Sequence, residues 1–317
     1  RGVAQLASAP RSGRGGRRFE SFHPDSLISD CLAGIFQKSY LYKRIVVDVL
    51  KMRTFKRVLG VLVILFVVAI VYSLLFPGKI RFVDNMRMFV QRPLIKWAGQ
   101  IKMSQITFSD SDEDANNTDI SLEELKTIVK DLPVGSIFFT QTRNYPISEF
   151  IPGEWMHTGI FLGTKERVAA RINPSTSLYK ALDTLMNQTD LYVLDSYSGG
   201  VSVHAIQELS NMKEKSYLTH FAAFSFNGEH RLTEKFIENA LNYTGRDYDY
   251  DWITEDPETI YCSELLYHTL KDVGIHISDR TITINRDIFT PDNLFRYLTL
   301  HSGKRKSFTF YGLFHKQ

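Results

Sequence analysis

The sequence predicts an α+β domain carried behind a single membrane-spanning helix. Three observations predict it: an uninterrupted apolar run near the N-terminus, an acidic linker after it, and then short β-type runs framed by amphipathic helical segments with glycine stops. With 44% hydrophobic and 23% charged residues among 317, the chain is too apolar to be wholly disordered, and a formal charge of +3 is too mild to mark a nucleic-acid binder. No nucleic acid is expected as a partner. The chain opens at Arg1 rather than at methionine, which reads as a fragment or an incomplete gene product.

Between Arg57 and Lys79 lie 21 uncharged residues, Val58 to Gly78, nearly all Val, Leu, Ile, Phe and Ala. As a helix rising about 1.5 Å per residue, such a run spans roughly 30 Å, the thickness of the hydrocarbon core of a bilayer. A soluble core helix of that length would carry a polar stripe, and none is present. The run is also too long, and too far from the start, for a cleaved signal peptide. The expectation is one uncleaved anchor, with the lipid bilayer as a partner. Lys38, Lys43, Arg44, Lys51, Arg53, Lys56 and Arg57 precede it, against Lys79, Arg81, Arg87, Arg92 and Lys96 after it. This bias favours a cytoplasmic N-terminus and a lumenal or extracellular C-terminal domain. Glycosylation sequons at Asn116, Asn187 and Asn242 all follow the span, in keeping with a glycoprotein of that topology.

The remaining organisation follows in order. Residues 1–56 form a basic segment, Arg- and Gly-rich at its start and largely without structure, and 57–78 the transmembrane helix. Residues 79–119 are a juxtamembrane segment and acidic linker. Phe82, Met86, Phe89 and Val90 among Arg87, Arg92 and Lys96 predict a short basic amphipathic helix on the membrane surface, interrupted at Pro93. Residues 120–317 are the folded domain. Ser121 with Glu124 is a capping-box signature that opens a helix ending before Pro133. Strands are expected at 137–140, 157–162, 191–195, 201–204 and 218–226. Helices are expected at 233–243 and 263–273, stopped by Gly245 and Gly274. The 26 residues from Thr164 to Thr189 read as an insertion, either a lid or specificity loop or a plain surface excursion.

Two separated motifs carry candidate chemistry. In Gly153-Glu154-Trp155-Met156-His157-Thr158-Gly159 a histidine stands at the mouth of a strand, followed by a glycine that lets another backbone approach. In Tyr261-Cys262-Ser263-Glu264-Leu265 a cysteine stands at the N-terminal edge of an amphipathic helix. There, unpaired amides and the positive end of the helix dipole favour a thiolate and can hold an oxyanion. A histidine beside the thiol and an acid on the far ring nitrogen would complete a nucleophilic set; His157 and Asp195 are the candidates. A single cysteine before Leu265 and Leu266 is also what a buried small hydrophobe looks like, and a lone histidine at a strand edge is often structural. Cys31 and Cys262 cannot build a disulfide framework, and no CxxC pair holds zinc. No GxGxxG, P-loop, GxSxG or HExxH occurs, so no cofactor and no metal is expected. Asp247, Asp249 and Asp251 lack EF-hand spacing; that loop is expected to pack Tyr248 and Tyr250 beside the cysteine with its acids facing water.

Taken in order, Leu132-Pro133-Val134-Gly135-Ser136-Ile137, His157-Thr158-Gly159-Ile160, Tyr192-Val193-Leu194-Asp195 with Gly200-Val201, and Gly245-Arg246-Asp247-Tyr248-Asp249 leading to Tyr261-Cys262-Ser263-Glu264 resemble the YiiX/YaeF-like family of permuted papain-like hydrolases of the NlpC type. The resemblance covers roughly residues 130–300. It implies a circularly permuted papain-like fold, helix plus small antiparallel β-barrel, with the barrel histidine preceding the cysteine helix. It further implies Cys262 as nucleophile, His157 as general base and acid, and Asp195 as the orienting residue, where related proteins usually carry glutamate. Glu264 is an alternative polar partner or a complement to the dipole. Tyr248, Tyr261 and Trp155 are the expected substrate-binding residues. The implied function is a membrane-anchored thiol hydrolase or acyltransferase acting on a peptide or lipid-linked amide or ester through an acyl-cysteine. The alternative is a catalytically inactive papain-like binding module displayed at a membrane.

Overall fold

The computed structural model describes residues 24–76, 79–98, 119–142, 152–187, 190–211, 217–228, 230–250, 252, 258–283 and 286–316. Two compact units result, residues 1–68 and 69–317. The first helix, α1 (Pro24–Leu75), runs for 52 residues. Its part Tyr42–Leu75 is long and apolar enough to cross a bilayer, and only 6% of its most apolar window is buried. Helix therefore occupies residues 24–56 as well, where the sequence reading expected little structure. The reason is local. No Gly or Pro occurs from residue 35 to 59, and Val46, Val47, Val49 and Leu50 continue the apolar run into the basic stretch.

A second correction concerns α2 (Arg81–Ala98), which continues through Pro93 instead of stopping there. A proline inside a helix removes one backbone hydrogen bond, and the turns on either side can carry on past it. Arg87 is not part of a water-facing basic stripe but is 2% exposed. Its Nε donates to Ser73 Oγ at 2.8 Å and its Nη1 to Gln91 Oε1 at 2.6 Å, while Ser73 donates to Asp84. The acidic linker with its sequon at Asn116 lies outside the described residues.

The folded domain opens with α3 (Leu122–Ile128), capped as its sequence requires: Ser121 N–H donates to Glu124 Oε2 at 2.8 Å, and Glu124 N–H to Ser121 Oγ at 3.3 Å. The chain then lays down β1 (Ser136–Thr142), β2 (His157–Gly163), α4 (Lys165–Arg171), α5 (Ser177–Leu185), β3 (Tyr192–Tyr197) and β4 (Gly200–Ala205). A 3₁₀ turn, Ile206–Asn211, leads to β5 (Leu218–Phe226), α6 (His230–Leu241), α7 (Cys262–Asp272), the hairpin β6 (Thr281–Thr283) and β7 (Arg286–Ile288), α8 (Pro291–Leu300) and β8 (Phe308–His315). Six strands form one antiparallel sheet in the order β4-β3-β2-β1-β5-β8. Among the described residues β4 and β8 are its edges, so strand pairing builds an open sheet where a small barrel was expected.

Period-two alternation sorts the sheet's side chains onto two cores. Ile137, Phe139, Ile160, Leu162 and Leu194 meet Phe236 and Ile237 of α6, Leu265 and Leu266 of α7 and Leu294 of α8. Phe138, Phe161, Val193 and Phe221 meet Leu125, Val129 and Leu132 in and after α3. The segment read as an insertion belongs to the first of these cores. Its helices α4 and α5 bury Val168, Ile172, Leu178, Leu182 and Met186 in the main cluster, so it is neither a lid nor a surface excursion. Both helices start on threonine caps, Thr164 and Thr176, that the sequence displayed openly.

Candidate active site

The site is assembled where the N-terminus of α7 meets the first residues of β2 and the middle of β3. Cys262 is the first residue of α7, is 2% exposed, and has Tyr261 as its N-cap. Three side-chain ties fix this helix start. Ser196 of β3 donates to the Ile260 carbonyl, Ser263 Oγ donates to Phe289 O at 2.7 Å, and Phe289 N–H donates to Tyr261 Oη at 3.2 Å. The amides of Cys262, Ser263 and Glu264 belong to the first helical turn, where no carbonyl of the helix lies behind them. Glu264, fully buried, accepts from Tyr261 N–H at 3.3 Å and contacts His268 Nε2 at 3.3 Å. It thus ties down the helix start.

Register brings the histidine and the acid together. Gly159 of β2 pairs with Asp195 of β3, so His157, two residues before Gly159, shares a face with Asp195. Gly159 is required by crowding: a Cβ there would lie 2.7 Å from Asp195 Cβ and 2.7 Å from the Phe138 ring. The approach foreseen at this glycine is thus made by the Asp195 side chain and an aromatic ring. His157 Nε2 lies 2.9 Å from Asp195 Oδ2. Aspartate therefore spans the distance despite being one methylene shorter than glutamate. Cys262 is an electrostatic neighbour of His157 and helps raise its imidazole. With Nε2 engaged by Asp195, the remaining ring nitrogen, Nδ1, is the one that can face the thiol.

The electrostatics follow from burial and charge. Burial alone would pull the His157 imidazole down, but the Asp195 carboxylate and its hydrogen bond, together with the neighbouring Cys262, outweigh it and raise it to about 10. Asp195 is fully buried, which would raise its carboxyl, yet the charges of His204 and His157 hold it well below the usual carboxylate range. An imidazole kept protonated beside a cysteine at a helix N-terminus is the arrangement that favours a thiolate–imidazolium pair.

His204 was not singled out by sequence reasoning. On β4 it sits opposite Val193, and its Nε2 lies 2.8 Å from Asp195 Oδ1, so one buried carboxylate is held by two histidines. The signal was the hairpin. Tyr197 pairs with Gly200 across a two-residue turn, which places Asp195 opposite Ser202 and turns His204 to the same face.

Beside Cys262 lies a small cleft lined by Tyr248, Trp252, Tyr261, Ile288 and Phe289 together with Pro152, Ser263, Thr290 and Pro291. Tyr248 and Tyr261, expected as substrate-binding residues, both line it. Burial and the nearby Cys262 charge push the Tyr248 phenol well above its ordinary value. Trp155 is not in the cleft: it is 7% exposed in the core, with ring centroids 4.9 Å from Phe295 and 5.8 Å from Phe139. Asp249, expected to face water, is 2% exposed. Among the described residues no group of three or more His, Cys, Asp or Glu side chains is arranged to hold a metal ion.

Residues 131–309 match a family described as permuted papain-like amidase enzymes, YaeF/YiiX, C92. A crystal structure described as metalloprotein yiiX from Escherichia coli O157:H7 is 15% identical, with 58% of this chain and 97% of that chain covered at a TM-score of 0.34. No curated protein matches the sequence.

Proposed function

Since the chain belongs to the permuted papain-like amidases of the YaeF/YiiX, C92 family, a family of cysteine hydrolases, we propose that Cys262, His157 and Asp195 are its catalytic set and that it is held at a membrane by α1. The observation that carries the reading is His157 held at 2.9 Å by the buried Asp195, with Cys262 at the N-terminus of α7 as an electrostatic neighbour that helps raise the His157 imidazole. In the proposed reaction the Cys262 thiolate attacks the carbonyl carbon of an amide or ester. The carbonyl electrons move onto oxygen, where first-turn amides of α7 receive the negative charge. His157 then passes its proton to the leaving amine or alcohol as the C–N or C–O bond breaks, leaving an acyl-cysteine. Water, deprotonated by the now neutral His157, attacks the thioester. The acid departs and the thiolate–imidazolium pair returns.

The cleft argues for the kind of group on the acyl side. Apart from Cys262, Ser263 and Thr290, its lining is apolar or aromatic, with two tyrosines, a tryptophan, an isoleucine, a phenylalanine and two prolines. An apolar acyl chain or apolar side chain fits that lining, and an anchored enzyme meets membrane-borne acyl groups at high local concentration. The test uses the full chain in detergent micelles, with iodoacetamide for the thiol and vesicles carrying fatty-acyl amides or esters for turnover. Rapid alkylation of Cys262 near pH 6, lost in His157→Ala, together with acyl release that is lost in Cys262→Ala, is the expected result. Alkylation that follows an ordinary thiol in both proteins sinks the proposal. Release from soluble peptides alone sinks its membrane-substrate part.

A further inference from the structure

The triad reading leaves one buried titratable group unused. His204 is 9% exposed, and each of its ring nitrogens faces an acceptor: Nε2 lies 2.8 Å from Asp195 Oδ1 and Nδ1 lies 3.2 Å from the Ala205 carbonyl. A neutral imidazole has one N–H and one lone pair, so it can satisfy only one of these acceptors and turns its lone pair on the other; the doubly protonated ring satisfies both. The charged groups around it agree. Asp195 is in contact from β3, Glu208 Oε2 lies 4.0 Å from Nδ1 on the same turn, and the Tyr197 ring stands at 5.0 Å between centroids. Beyond the shared carboxylate the next ionisable group is His157.

We propose that His204 is a positioning residue of the catalytic set: as an imidazolium it grips the second oxygen of Asp195, fixes the carboxylate toward His157, and balances the buried charge. The inference rests on the proposed catalytic set. With the thiolate and Asp195 as the two anions and His157 and His204 as the two cations, the cluster is neutral, whereas without His204 a net negative charge would be buried. The cation also has a catalytic consequence. Asp195 alone would hold the His157 proton more firmly, and His157 must release that proton to the leaving group; a second cation on the carboxylate weakens the grip. Burial disfavours the charged His204 ring, but the Asp195 charge and hydrogen bond outweigh it and raise its affinity for a proton. Geometry and electrostatics thus point the same way.

Two measurements test this on the full chain in micelles. First, ring-¹⁵N spectra of the unsubstituted protein at pH 7 should show both His204 nitrogens protonated, with the ring assigned through its backbone amide. Neutral imidazole shifts there overturn the proposal without any variant. Second, iodoacetamide alkylation of Cys262 is followed against pH in His204→Gln, which keeps a donor for Asp195 but no charge. The upper inflection, which reports His157, is expected to move up by about half a unit to one unit, the size of a neighbouring-charge effect across a shared carboxylate. In His204→Ala, which also releases the carboxylate, alkylation near pH 6 is expected to fall about tenfold, a change of one decade in reactive geometry. An upper inflection left in place by His204→Gln overturns the positioning role. Loss of the proposed triad reads differently, as insensitivity of Cys262 to His157→Ala.

Discussion

Asp195 does at the residue scale what one carboxylate rarely has to do, serving two imidazoles from a fully buried position. Replacing it by asparagine keeps the shape and removes the charge. Burial then prevails over His157, whose proton is no longer held up to about 10 in its electrostatic field. The expected result in Asp195→Asn is a loss of about 10²–10⁴ in kcat/KM, in the range found for wrong-tautomer variants of nucleophile–His–Asp sets. The alkylation profile should also change, with Cys262 reacting only as pH approaches the free-thiol value of about 8.5. Gly159→Ala tests the same contact from the other side. Its new methyl must displace Asp195 or Phe138, each at 2.7 Å, so we expect about 1–3 kcal/mol lost from stability in denaturant melts and a loss of turnover larger than that of remote variants of equal stability. Cys262, His157 and Asp195 were legible in the sequence because each stands at the edge or centre of a short, strongly patterned run. His204 was not, since its role depends on hairpin register rather than on any spacing of its own. Trp155 was misplaced because an aromatic beside a catalytic motif looks the same in sequence whether its ring turns to the cleft or to Phe139 and Phe295.

Among the elements, strands β1 to β5 and the helices α3, α6 and α7 were readable from alternation, caps and glycine stops, and the structure places them within a few residues of expectation. The failures have a common cause. The α4–α5 segment was judged by its position between two family-like motifs, while its own pattern, two threonine caps and apolar residues at helical spacing, already described packed helices. Leu182 of α5 is fully buried, so Leu182→Ala is expected to cost about 2–5 kcal/mol in chemical denaturation, the cost of a core cavity. A surface excursion would lose almost nothing on the same substitution. The α8–β8 end was not foreseen either, although Thr290, Pro291 and Asn293 announce its helix through a reciprocal cap. The short β-runs fit a sheet or a small barrel equally, the resemblance tipped the expectation to a barrel, and no local signal could have shown that β4 and β8 remain edges.

For the whole molecule, the sequence was most informative where physics is coarsest. An apolar run as long as a bilayer's hydrocarbon core is thick is visible at once, but its true helical extent, back to Pro24, depends on the absence of breakers over a basic stretch. The proposed anchoring and topology make a joint prediction. Full-length chain expressed in a eukaryotic secretory host should remain with membranes through an alkaline carbonate wash, and glycosidase treatment should raise its gel mobility. One step of that change should disappear in Asn242→Gln, because Asn242 is exposed in the turn after α6. Asn187 should contribute less, since its amide nitrogen already donates to Asp190 at 2.9 Å. Release by carbonate, or unchanged mobility, would count against the anchor or against its orientation respectively.

The wide sequence separation of the set has one further effect. Cys262 stands 105 residues after His157, and only the formed sheet and the docked α7 bring them together. An unfolded or half-made chain carries an ordinary thiol of about 8.5, mostly protonated at neutral pH. If Cys262 is the nucleophile proposed above, its activation comes with folding. Under that proposal an unfolded chain does not acylate itself on whatever it meets, and the rate at which its cysteine becomes reactive is a clock for the arrival of the native state.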